Sequence, residues 1–192
     1  MNKKRCGWLN PSNSLYLHYH DFEWGVPLRD DNRLFEMLIL EGAQAGLSWE
    51  TVLKKRENYR RAFLGFDPVK VASFGENDIS RLAEDERIIR NRLKIKSAVK
   101  NAAVFLEIQK EYGSFNEFIW SYTGGTAIDP QYKLLSDIPV KDELSGKISA
   151  DLKKLGMSFT GPTIIFAYMQ AVGMINSHTT DCFRHDEIKN EF

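Results

Sequence analysis

The chain is short of cysteine. It has two in 192 residues, Cys6 and Cys182, near opposite ends. A small secreted scaffold held by disulfides is therefore excluded. No apolar run is long enough to span a bilayer. The basic start, MNKKRCGWLN, is not followed by the apolar core of a signal segment, so a cytoplasmic protein with no membrane role is expected. Net charge is absent too: 26 basic and 26 acidic residues cancel. This argues against a protein coated in nucleic acid, although a local basic face stays open. No convincing alternation of strand type, internal repeat or low-complexity linker is found.

What is present reads as helix. Hydrophobic residues make up 43% of the chain, enough for one domain with a real core or for two small lobes. One helix is expected over about 31–41, with Asp31 or Asn32 as its cap. A second starts after Ser48, with Glu50 near its positive end and a stripe of Val52, Tyr59, Phe63 and Phe66. DPVKVASF opens another with Pro68 in its first turn. ENDISRLAED follows, and then a long segment from Asn91 closed by Gly113. SFNEFIWSY is short and stops at Gly124–Gly125. Residues 124–140, with Pro130 and Pro139, read as a loop. KDELSGKISADLKKLG and TIIFAYMQAVGMIN are the last two clear helices. The fold class is all-α.

One stretch, EGAQAGLSWETVLKKR, starts with an acid in an unexpected place. Leu34, Leu38 and Glu41 share a helical face, so Glu41 falls where the next buried residue should be. Two glycines follow and would break the helix there, presenting Leu47 outward. A buried carboxylate is costly without partners, so this acid points to a site.

Three further features bear chemistry. His178 and Cys182 are four apart and would share one face of a helical turn; Cys6 and His20 lie near the other end of the chain. Two Cys and two His suit a closed tetrahedral zinc site, but by spacing alone isolated thiols explain the pair equally well, with His18 and His185 as rival histidines. Residues 152–173, LKKLGMSFTGPTIIFAYMQAVG, read as helix, glycine-bearing turn, helix. The start of the second helix there would offer unpaired N–H groups to a phosphate. Thr163 could add a hydroxyl and Lys153 and Lys154 positive charge; an ordinary helical hairpin has the same pattern. The clusters KKR at 54–56 and RNRLKIK at 90–96 are other candidate basic faces, each more simply explained as solvated helix surface. Finally, aromatics crowd the N-terminal stretch: Trp8, Tyr16, Tyr19, Phe22 and Trp24, with Trp49 further on. Such residues fill cores, but they also make stacking walls for a planar base.

RCGW, YHDFEWGVP, LFEMLILEGAQAGLSWETVLKKRENYRRAF, FDPVKVA and FAYMQAVGMINSH together resemble the DNA-3-methyladenine glycosylase I family, from Cys6 to Cys182. The resemblance implies one glycosylase domain over 1–192, two helical lobes, a helix-hairpin-helix motif at about 144–175, and one structural Zn2+ joining the chain ends. It implies a monomer that removes 3-methyladenine from alkylated double-stranded DNA and leaves the free base as product. It puts the zinc ligands on Cys6, His20, His178 and Cys182. The acid of the base pocket, to which catalysis is assigned, falls on Glu41. The pocket aromatics fall on Trp8, Tyr16, Tyr19, Trp24 and Trp49. The DNA-inserting turn falls on Gln44, Gly46 and Leu47, and the hairpin on residues 156–163, including Gly161 and Thr163. That hairpin, GMSFTGPT, has fewer glycines than the wider superfamily usually carries. Asp181 lies near where many of those relatives hold a catalytic aspartate, and it is read here as incidental. No lysine is placed to form a Schiff base, so strand cleavage is not expected. A non-catalytic zinc-containing hairpin module that binds DNA is the rival reading, and a helical metalloprotein is a third. Only the glycosylase requires an acid facing a base-sized pocket.

Overall fold

The computed structural model describes residues 3–189. Among them, helices are the only repeating structure: α1 (Ser14–Phe22), α2 (Asp31–Gln44), α3 (Trp49–Ala62), α4 (Pro68–Ala72), α5 (Glu76–Glu84), α6 (Arg92–Tyr112), α7 (Phe115–Ser121), α8 (Glu143–Lys154), α9 (Pro162–Ala171) and α10 (Phe183–Lys189). None is long and apolar enough to cross a membrane. The 124–140 segment is the expected loop, with a single 3-10 turn at Leu135–Asp137 and one isolated parallel bridge from Ile128 to Ile175.

The central element is α2. Every residue from Leu34 to Ala43 is buried, as in a helix covered on all sides. Its partners are α3, α6, α7 and α9. The cap is Asp30, whose side chain accepts from the Arg33 N–H, and not Asp31 or Asn32. Asp31 is used elsewhere: its carboxylate accepts from the N–H groups of Phe115 and Asn116, each at 2.8 Å, and from Gln109 Nε2 at 2.7 Å. One acid thus ties the start of α2 to α6 and α7.

The helix does not break after Glu41. It continues through Gly42 to Gln44. Gly42 serves packing instead, since a Cβ there would come within 3.4 Å of Phe159 in the α8–α9 connection. The turn is made by Gly46 at φ +80°, in open space. Ser48 then caps α3, as its spacing predicts, and Val52, Tyr59, Phe63 and Phe66 are all buried. The buried apolar side chains form one continuous core, reaching from Cys6 to Cys182.

Candidate functional site

The N-terminal segment, α1, α2, α3, α9 and the 131–141 loop surround a cavity of about 350 Å³. Its walls include Trp8, Tyr16, Tyr19, Trp24 and Trp49, all five aromatics expected there. Ring contacts hold them in place. Trp8 lies 5.1 Å from Tyr16 and 4.9 Å, edge-on, from Trp24; Tyr19 lies 5.3 Å from Trp49. Such offset and edge-to-face pairs add to simple burial and fix ring orientation.

Glu41 faces this cavity from α2 and is 4% exposed. Its Oε2 has no hydrogen-bond partner, and the indole N–H of Trp49 is equally unpartnered. Burial pushes the carboxyl pKa up to about 8, because no cation lies close enough to offset desolvation. Burial first, then Glu41, also push the Tyr19 phenol well above its ordinary value, so it stays a neutral hydroxyl.

A second hollow of about 180 Å³ adjoins the first, sharing Glu41, Gln44 and Ala167, and is lined further by Gly46, Leu47, Thr163 and Ile164. Here the turn after α2 faces the start of α9. Leu47 is 42% exposed, unusual for a leucine so close to a core. Lys94 Nζ donates to the carbonyls of Ala43 at 2.8 Å and Ala45 at 2.6 Å, which anchors this turn. The N-cap of α9 is Gly161, without a side-chain cap, and Pro162 follows at the first helical position. Lys153 and Lys154 close α8 and are exposed. The other basic clusters are largely consumed internally. Arg56 is buried against Glu23, Lys54 pairs with Glu50, Arg90 with Glu86, and Arg92 and Lys96 with Glu76.

The chain ends meet in a buried cluster of Cys6, His20, His178 and Cys182, whose ligand atoms all lie within 4.8 Å of one another. His178 Nδ1 is 3.5 Å from both sulfurs, and His20 Nε2 is 3.5 Å from Cys182 Sγ. A tetrahedral zinc site has sulfur–nitrogen edges of about 3.5 Å, given its usual bond lengths. The outer ring nitrogens are also committed. His20 Nδ1 pairs with Asp21 at 2.8 Å, which Arg5 grips with two nitrogens, and His178 Nε2 lies 3.0 Å from the Trp24 carbonyl. This turns the inner nitrogens toward the two sulfurs, where a metal would sit, with the Cys6 N–H also 3.4 Å from His20 Nε2. The set is able to hold a metal ion. His178 and Cys182 converge through a non-helical turn, not on one face of a helix. The rival His185 is paired with Asp129 and Asp186 at 3.1 Å, and the side chain of His18 is exposed. Asp181 accepts from Thr179 and pairs with Lys4, away from the cavity.

Four lining residues were not anticipated: Leu135 and Ile138 from the loop, and Ala167 and Gln170 from α9. Nothing local marks the loop pair. The α9 pair follows Thr163 at helical spacing and was legible in principle.

The model of the family described as methyladenine glycosylase matches residues 8–185. The chain belongs to that family. As a methyladenine glycosylase family member it is 48% identical over 179 residues to DNA-3-methyladenine glycosylase 1 of Escherichia coli (strain K12), covering 93% of this chain and 95% of that protein. It is similar to a crystal structure of 3-methyladenine DNA glycosylase I, with TM-score 0.91, 46% identity, and coverage of 94% of this chain and 98% of that one. It is also similar to a tyrosine-to-phenylalanine variant of 3-methyladenine DNA glycosylase I in complex with 3-methyladenine, with TM-score 0.90 and 41% identity, covering 93% of this chain and 96% of that one.

Proposed function

We propose that the enzyme is a monofunctional DNA glycosylase that hydrolyses the N-glycosidic bond of 3-methyladenine in alkylated duplex DNA. The observation that carries this reading is Glu41, a buried carboxyl with an unpartnered oxygen, facing an aromatic cavity. Such a group is a cost to folding unless a ligand completes it. A purine edge does so, and the aromatic walls offer stacking for the ring.

The chemistry asks little of the protein. A 3-methylated adenine is cationic in the nucleoside and is already a good leaving group. The enzyme must extrude the nucleotide, hold the base and admit water to the sugar carbon. Glu41 gives up its proton more readily opposite a cationic base, and the resulting carboxylate favours that charge in a site with little competing solvent. Water adds at the sugar carbon and releases a proton to solvent, the carbon–nitrogen bond breaks, and the base keeps the bonding electrons and leaves neutral. Normal adenine carries no such charge, so it is held less well and leaves poorly. Asp181, remote from the cavity, has no part in this scheme.

The remaining roles follow from position. Leu47 fills the gap left in the base stack, with Gln44 and Gly46 shaping its turn. The α8–α9 connection serves as a helix-hairpin-helix element. Backbone donors from Gly161 onward and the Thr163 hydroxyl hold a phosphate, and Lys153 and Lys154 flank it. The Cys6, His20, His178 and Cys182 set fits Zn2+ in its donor chemistry and edge lengths. With four protein ligands it leaves no open position, so the ion is structural. The residues act as one glycosylase domain, as a monomer, in the cytoplasm.

The direct test is base release from methylated duplex DNA. Wild-type protein is expected to liberate 3-methyladenine and leave abasic sites without strand cleavage. A folded, DNA-binding protein that releases no base would instead be the non-catalytic module.

A further inference from the structure

The face of α9 that runs into the site carries a polar group with no role so far. Thr163 and Ala167 line the hollow beside Leu47, and Ala167 and Gln170 line the base cavity. These positions are four and three apart, so they form one stripe about 10 Å long on the helix. The stripe starts at the proposed phosphate grip and ends in the base cavity. Its middle residue, Ala167, is small and leaves space for a sugar. Its last residue ends in a carboxamide. The Gln170 side chain is half-buried and makes no hydrogen bond to any described residue. Its backbone, by contrast, is engaged, with the carbonyl accepting from the Gly173 N–H at 3.3 Å.

We propose that Gln170 is a second base-reading residue, which donates to and accepts from the purine while Glu41 takes the remaining amino hydrogen. This inference rests on the glycosylase reading. Its logic is complementarity. A carboxamide presents one acceptor and two donors side by side, which matches an amino group next to a ring nitrogen on adenine. Glu41 as a carboxylate only accepts. It can therefore satisfy the amino group but not a ring nitrogen, and a pocket that reads adenine needs a donor as well. Placement on α9 also couples base reading to the backbone grip, because one rigid helix carries both.

The test compares Gln170→Met and Gln170→Glu with wild type. Two ligands are titrated, free 3-methyladenine and a duplex with a stable abasic-site analogue, and base release is measured on methylated DNA. Methionine keeps the length of the side chain and removes its polar atoms. Free-base binding by Gln170→Met is expected to weaken about tenfold, the loss for one or two uncharged hydrogen bonds, with abasic-duplex binding within about twofold of wild type. Gln170→Glu should lose at least as much, since it removes the donors and adds a second acid near Glu41. Wild-type binding of the free base by Gln170→Met would overturn the inference. So would equal losses on both ligands, which would make Gln170 a packing residue. Wild-type protein that releases no base would refute the glycosylase reading itself, a result distinct from either.

Discussion

His178 and Trp24 join the Cys–His cluster to the aromatic cavity. The imidazole turns Nδ1 toward both cysteines and sets Nε2 3.0 Å from the Trp24 carbonyl, while the two rings meet edge-on at 4.6 Å. Trp24 in turn contacts Trp8 on the cavity wall. The cluster therefore does more than fasten the chain ends: it fixes the backbone from which one wall of the cavity hangs.

Zinc removal is expected to reach the cavity. Cys182→Ser should lower stability by on the order of several kcal/mol, because metal binding contributes folding free energy. Elemental analysis should give one zinc per wild-type chain and much less in the variant. Free 3-methyladenine binding should weaken in the variant even below its melting temperature. Wild-type protein without stoichiometric metal would refute the assignment.

Glu41→Gln should separate stability from function. The folded-state pKa of Glu41, about 8, lies above its ordinary 4.5. The folded protein thus binds the proton more tightly than the unfolded chain, and stability falls as pH rises from about 4.5 to about 8. Glutamine removes this loss. The variant should melt a few degrees higher than wild type near pH 8, with the gap shrinking toward pH 5. It should also bind 3-methyladenine and excise it at least about tenfold more weakly, as expected for a lost charged hydrogen bond. A variant that excises like wild type would place the reading of the base elsewhere.

Leu47→Ala should weaken binding to an abasic duplex more than binding to the free base. The side chain is exposed and lies outside the aromatic cavity. The loss for the duplex should be on the order of tenfold, since a wedge of this size buries apolar surface only against DNA. Equal losses for the two ligands, with a lower melting temperature, would make Leu47 a core residue.

The salt dependence of duplex binding should be shallow. Lys94 is held by the carbonyls of the turn beside the site, and Arg56, Arg90 and Arg92 are paired with acids, whereas Lys153 and Lys154 make no ion pair among the described residues. Each phosphate neutralised adds about 0.9 to the slope of log affinity against log salt. Replacing both lysines should reduce the slope by up to about 2, alike for all sequences. Thr163→Pro should weaken binding with no change in charge, by removing a donor at the helix start. An unchanged slope in the double variant would move the phosphate contacts off α8.

By itself, the sequence determined α2 to α9, because capping and periodicity are local, whereas α1 (Ser14–Phe22) and α10 (Phe183–Lys189) were not expected from it. Ser48, Asp67, Asn91 and Ser114 cap helices that start where their spacing says. It also determined that Glu41 is buried, since an acid on an apolar stripe has nowhere else to go. The resemblance to the family then singled out Cys6, His20, His178 and Cys182 and the five aromatics, which spacing alone left undecided; the structure brings the four together and lines the cavity with the five. Tertiary structure decided the rest. That Gly42 continues the helix could not be read locally, because the need for glycine there comes from Phe159, more than a hundred residues away. Leu135 and Ile138 reach the cavity from a loop with no signal of its own. Whether a basic cluster is free to meet DNA depends on which acids fold against it: Arg92 and Lys96 meet Glu76, while Lys153 and Lys154 meet none. Charge, spacing and caps are properties of neighbours in the chain, and cavities and ion pairs are properties of neighbours in space.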